Sequence, residues 1–205
     1  MIDDLSMVIR FEQRGCGRSD ETGPYDIETC VDDLESIRKH YQVSRWMVGG
    51  HSYGPDLALA YTLAHPDRVL GMICIAGGVV HKDKDWSKQY HRLQDQEEIP
   101  AMPYPANMEV NAQVGQSWRQ YVREPTLLRR IADLNVPALF AYGEKDIRPS
   151  WPVEQLARLL PKGRFELIKN APHAIWVDHA EELKPILREF VEQVIDENGG
   201  EQSHS

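Results

Sequence analysis

Ser52 lies in Gly50-His51-Ser52-Tyr53-Gly54, after the apolar run Trp46-Met47-Val48 and before Pro55-Asp56-Leu57-Ala58-Leu59-Ala60-Tyr61. A G-x-S-x-G between a short strand and a helix reads as a nucleophile elbow: the chain turns so sharply that only small residues fit beside the serine, whose hydroxyl stands exposed above a sheet. Pro55 suits the first turn of the following helix, where its missing N–H costs nothing. The competing reading is a Gly-rich turn carrying a solvated serine, and the five residues alone are a weak signal.

A serine hydroxyl is a poor nucleophile at neutral pH and needs an adjacent base, itself oriented by an acid. In sheet-based hydrolytic sites the chain order is Ser, then Asp or Glu, then His. The apolar run 138–142 leads into Gly143-Glu144-Lys145-Asp146, and the run 165–168 leads into Lys169-Asn170-Ala171-Pro172-His173. Asp146 and His173 are therefore the expected acid and base, each in a loop at the carboxyl end of a strand. In a parallel sheet such loops share one edge with the elbow. Asp146 has a bland alternative as an Asx-turn residue before Pro149, and Glu144 is close enough to compete with it. His173 can likewise be read as a surface histidine after a proline. The other histidines fit less well. His51 is inside the elbow, where its side chain should point away from the hydroxyl, and His65 and His179 sit at helix ends. This chemistry calls for no metal and no organic cofactor.

Alternating apolar runs and helical stretches position these residues, the pattern of an α/β fold with a mainly parallel sheet. Strands are predicted at 7–11, 46–48, 72–76, 138–142 and 165–168. Helices are predicted at 27–41, 56–64, 153–160 and 180–195. The segment at about 80–125 breaks the alternation, with Pro100, Pro103 and Pro105 and several aromatic pairs but few β-branched residues. It reads as a small helical lid inserted over the strand ends, since long structureless loops are uncommon in compact domains. Trp86, Trp118 and Tyr121 are candidates to line a substrate pocket beneath it, or equally to form the lid's own small core. The polar tail at about 197–205 is expected to fray.

With 205 residues the chain is long enough for one domain with a real core. It carries 32 acidic against 23 basic residues, a net charge of −9 and a pI near 5.4, which argues against nucleic acid as a partner. No apolar run approaches the length of a membrane span, and residues 1–4 offer no basic signal-peptide start. Cys16, Cys30 and Cys74 show neither a metal spacing nor a disulfide framework. A reducing, cytoplasmic setting is expected. Oligomeric state is not readable from these features.

Several stretches carry a family resemblance. Phe11-Glu12-Gln13-Arg14-Gly15-Cys16-Gly17-Arg18-Ser19 resembles the F-D-Q-R-G-C-G-R-S of the proline iminopeptidase-like branch of the α/β-hydrolase superfamily, with Glu12 for the usual Asp. Trp46-Met47-Val48-Gly49-Gly50-His51-Ser52-Tyr53-Gly54 is similar to its W-x-V-x-G-G-S-W-G, with one residue inserted before the serine. Leu59-Ala60-Tyr61 and His65-Pro66-Asp67-Arg68-Val69 also match. The resemblance implies a three-layer α/β/α sandwich and a serine hydrolase with Ser52 as nucleophile, His173 as general base and Asp146 as orienting acid. It implies that the Tyr53 N–H donates to the oxyanion. The substrate would be a small ester, an amide or the N-terminal peptide bond of a short peptide.

That branch grips a substrate amine with acidic groups from a larger cap. Here the lid offers Asp83, Asp85, Asp95, Glu97, Glu98 and Glu109, with no spacing that singles one out. Family members also open with further strands and an H-G-G-x-G-type loop, and no His-Gly pair precedes the elbow in this chain. An N-terminally short version of the fold is therefore expected. Its strand at 7–11 would pair directly with the one at 46–48, through a right-handed crossover over 27–41; otherwise the sheet has a gap there. Two alternatives stay open: a catalytically impaired ligand- or partner-binding protein, or a carbon–carbon hydrolase or haloperoxidase-like enzyme using the same three residues.

Overall fold

A strand that is apolar on both faces must be covered on both sides, and the central strand of this protein is of that kind. The computed structural model describes residues 1–97 and 100–199. Along the chain run α1 (Ile27–His40), β1 (Trp46–His51), α2 (Gly54–Ala64), β2 (Val69–Ile75), α3 (Lys84–Leu93), α4 (Met108–Tyr121) and α5 (Leu127–Ala132). They are followed by β3 (Ala138–Gly143), α6 (Trp151–Leu159), β4 (Gly163–Ile168), α7 (Ile175–Asp178) and α8 (Ala180–Gly199). The strands form one parallel sheet in the order β1-β2-β3-β4.

Every residue of β3 is buried. Ala138, Phe140 and Tyr142 pack into the core shared with α1, α2 and α6, whereas Leu139 and Ala141 pack into the core built from α8 through Leu183, Leu187, Phe190 and Val194. The alternation of one strand between two cores gives the three-layer α/β/α sandwich that the sequence implies. Local chemistry marks the helix boundaries. Asp26 Oδ1 accepts the Thr29 N–H at 2.7 Å ahead of α1, and Asn107 Oδ1 accepts the N–H groups of Glu109 and Val110 ahead of α4. His65-Pro66 ends α2 as expected, in a short 3₁₀ turn.

The segment at 80–125, expected to form a small lid, holds two α-helices among its described residues. α3 and α4 occupy it, and α4 turns Val110, Val114 and Trp118, four residues apart, into the core. The helix predicted at 180–195 continues as α8 to Gly199, and residues 200–205 lie outside the described residues.

The predicted strand at 7–11 does not form. Met7 is 69 % exposed and Phe11 44 %. A cavity of about 500 Å³ is lined by residues 6–9 and Phe11 together with residues 46–49 of β1 and apolar side chains of β2 and α8. A strand exists only where its backbone meets a neighbour's, and between these two segments no ladder forms. The expected direct pairing with β1 is therefore absent, and β1 is an edge of the sheet.

Two substitutions measure the difference in denaturant titrations. Phe140→Ala, in β3, should cost about 3–5 kcal/mol. Phe11→Ser should cost less than about 1 kcal/mol if the segment carries no core contacts.

Candidate active site

The carboxyl ends of β1, β3 and β4 open on one rim, and each carries one of the three candidate residues. At the end of β1, Ser52 has φ +60°, the left-handed conformation expected of an elbow nucleophile. The crossing is tight. A Cβ on Gly50 would lie 2.9 Å from Gly54 Cα, and a Cβ on Gly77, beyond β2, would lie 1.9 Å from the Ser52 carbonyl oxygen. A Cβ on Gly54 would meet nothing within 4 Å, so of the two glycines in the pentapeptide only Gly50 is sterically required. Gly77 has no motif to announce it. The Ser52 N–H donates to the Ile75 carbonyl at 2.9 Å, which ties the elbow to β2. Asp56, on the first turn of α2, accepts the Gly78 N–H at 3.1 Å, and burial pushes its carboxyl well above the usual carboxylate range.

His173 Nε2 is 3.1 Å from Ser52 Oγ, and its Nδ1 is 2.6 Å from Asp146 Oδ2. With the proton on Nδ1 the ring donates to Asp146 and accepts from the serine hydroxyl. Asp146 is buried, and its other oxygen, Oδ1, accepts the Arg148 N–H at 2.9 Å. The Asx turn proposed as its bland alternative is thus present, on the oxygen that the histidine does not use.

Glu144 does a different job from Asp146. Its Oε2 accepts the N–H of Asn170, which has φ +59°, and so holds the loop that carries His173. The two loops are locked together further by the Lys145 N–H on the Ala171 carbonyl at 2.9 Å. A Cβ on Gly143 would lie 2.3 Å from the same carbonyl oxygen.

His51 makes no bond to the serine hydroxyl. Its ring packs 4.4 Å from the His173 ring and 4.3 Å from Trp176, and Nε2 donates to the His173 carbonyl at 3.1 Å. Burial, with the neighbouring His173, brings its pKa down to about 4. Its contact with His173 has no signal in the sequence. The Tyr53 N–H, at the start of α2, donates to no acceptor among the described residues.

Of the aromatics expected to line a pocket beneath a lid, Trp86 and Trp118 are buried and Tyr121 packs against the core. The Trp86 indole N–H donates to the Pro149 carbonyl at 2.9 Å, while Trp118 donates to the Val79 carbonyl at 3.3 Å and stacks on Tyr121. Of the lid carboxylates, Asp83 caps α3, Asp85 pairs with Lys88, and Glu109 accepts from Gln113. Glu97 pairs with Arg148, and Glu98 lies outside the described residues. No group of three or more potential metal ligands occurs among the described residues. No helix among them is long and apolar enough to cross a membrane.

Two measurements follow from this geometry. Gly77→Ala should destabilise the fold by about 1–3 kcal/mol through overpacking, whereas Gly54→Ala should stay within about 1 kcal/mol of the parent. For His51, the unfolded chain takes up a proton near pH 6.5 and the folded one near pH 4, so stability present above pH 6.5 is lost as pH falls through 4. The loss attributable to His51 is at most roughly 3 kcal/mol. Urea midpoints measured from pH 7 down to 4.5 should therefore fall less steeply in His51→Gln than in the parent.

The model of the alpha/beta hydrolase fold matches residues 6–127. A proline iminopeptidase of Arabidopsis thaliana is 36 % identical over 86 residues, covering 38 % of this chain and 22 % of that protein. A proline iminopeptidase of Heyndrickxia coagulans is 20 % identical across 91 % of this chain and 82 % of its own. The chain spans between 22 % and 28 % of the length of the first curated relatives it matches. Among solved structures, a thermophilic esterase from Thermogutta terrifontis superposes with a TM-score of 0.70 at 22 % identity, over 89 % of this chain and 78 % of that one. The sheet, the elbow and the family match over residues 6–127 agree: the chain belongs to the alpha/beta hydrolase fold family, and it is similar to proline iminopeptidases over part of their length.

Proposed function

We propose that this chain is a serine hydrolase that cleaves a small ester, an amide or an N-terminal peptide bond by acyl transfer. The observation that carries the reading is the relay from Ser52 Oγ through His173 to buried Asp146, at 3.1 and 2.6 Å, with the serine on a left-handed backbone. In this mechanism Ser52 Oγ attacks the substrate carbonyl carbon while His173 Nε2 takes the hydroxyl proton. Asp146 keeps the other ring nitrogen protonated and offsets the charge on the imidazolium. The Tyr53 N–H, at the elbow, serves the developing oxyanion. Collapse of the tetrahedral intermediate breaks the bond to the leaving group, which receives the proton from His173. Water, deprotonated by the same nitrogen, then releases the acid and restores the serine. The iminopeptidase relatives favour an amine leaving group, and the esterase shares only the fold.

Incubation with a fluorophosphonate tests the reading. The parent should be labelled, Ser52→Ala should not be, and Asp146→Asn should be labelled about 10³–10⁴ times more slowly. A folded parent that takes no label overturns the proposal and turns the chain into a binding protein on a hydrolase scaffold.

A further inference from the structure

The loop that carries Asp146 is held from above by the lid. Arg148 Nη1 is 2.5 Å from Glu97 Oε1 and Nη2 is 3.1 Å from Oε2, a two-pronged pair reaching from the end of the α3 segment. The same Nη1 is 3.3 Å from Asp146 Oδ1, the oxygen that also accepts the Arg148 N–H. The guanidinium lies 5.3 Å from the centre of the Tyr90 ring, Tyr90 stacks on Trp86, and Trp86 donates to the Pro149 carbonyl. Three lid residues thus rest on Arg148 and Pro149, and they reach Asp146 through the side chain of Arg148.

The geometry matters because a carboxylate beside a histidine must present one oxygen and keep it there. Two bonds from Arg148 occupy Oδ1 and fix the rotation of the Asp146 carboxylate, so that Oδ2 faces His173 Nδ1. A planar fork can hold one carboxylate with two prongs while one of them also reaches a second. An ammonium, with its single centre, cannot serve both in that geometry. Glu97 and Arg148 are mostly shielded from solvent, with side chains 15 % and 21 % exposed, and Asp146 is fully shielded.

We propose that Arg148 is a positioning residue for Asp146, and that its pair with Glu97 makes the alignment of Asp146 with His173 depend on the seating of the lid. The proposal rests on the serine hydrolase reading for its consequence in turnover, and on the contacts alone for its consequence in geometry. A lid lifted from the rim takes Glu97 with it and releases the guanidinium from its two-carboxylate arrangement. The base is then poorly oriented until the lid is seated again, which ties reactivity to a covered site.

Two readouts test this. The first is the kinetics of fluorophosphonate inactivation, resolved into the affinity of the first complex and the rate of the bond-forming step. Arg148→Met should slow the bond-forming step 10- to 100-fold with little change in affinity, and Glu97→Gln about 10-fold. The double variant should be no slower than Arg148→Met, because both changes break one clasp. Parent-like rates in Arg148→Met overturn the positioning role, and parent-like rates in Glu97→Gln, or additive losses, overturn the coupling to the lid.

The second readout is the downfield proton resonance of His173 Nδ1–H, assigned by its loss in His173→Gln. It should broaden or move upfield in Glu97→Gln, the milder variant, and remain unchanged in Arg158→Met, which breaks an exposed pair with Glu154. An unchanged resonance in Glu97→Gln overturns the coupling whether or not the protein reacts. A folded parent that takes no label overturns the hydrolase reading, and the resonance alone then decides the clasp.

Discussion

The backbone of Ser52 is the constraint around which the rim is built. Its left-handed conformation is unfavourable for a residue with a side chain and persists only where the surroundings leave no alternative. Here the surroundings are three backbones in contact: the end of β1, the first residues of α2, and the exit of β2 at Gly77. The bond from the Ser52 N–H to the Ile75 carbonyl closes that contact from below. The fold therefore spends backbone strain at one residue to hold a hydroxyl clear of the sheet. The parallel register of the four strands sets the distance from that hydroxyl to the loops after β3 and β4.

Those two loops act as one body. Glu144, the Lys145 N–H and Gly143 all engage the stretch from Asn170 to Pro172, so Asp146 and His173 are held to one another as well as to the serine. His51 adds a link from the elbow, through the carbonyl and ring of His173. Neutral at physiological pH, it fills this position without placing a charge beside His173. The charge of Arg148 is instead kept on the far oxygen of Asp146 and shared with Glu97.

Much of this was legible in the sequence, because the relevant signals are local. A run such as 138–143 followed by Gly-Glu-Lys-Asp says strand and then loop, and Gly-x-Ser-x-Gly before a proline says elbow. Asp146, not Glu144, contacts His173, and position in the loop could not reveal that Glu144 secures Asn170. Two things escaped. Gly77 and His51 act through contacts 25 and 122 residues distant in the chain, which no local pattern encodes. Residues 7–11 have strand-forming composition but no neighbouring backbone, and composition alone does not supply one. Trp86, Trp118 and Tyr121 read equally as pocket-lining or as a small core of their own, and the indole N–H groups of Trp86 and Trp118 are taken by the main-chain carbonyls of Pro149 and Val79.

The sheet's strand order gives the rim an uneven endurance. Asp146 follows β3, buried on both faces, whereas Ser52 follows β1, which has a ladder on one side and an apolar void on the other. Local opening starts where the fewest contacts must be broken. β4, which leads to His173, is the sheet's other edge, so heating should loosen Ser52 and His173 from their places while β3 and the loop of Asp146 are still folded. The contact between the serine and the histidine would be lost first, leaving a protein that retains most of its secondary structure.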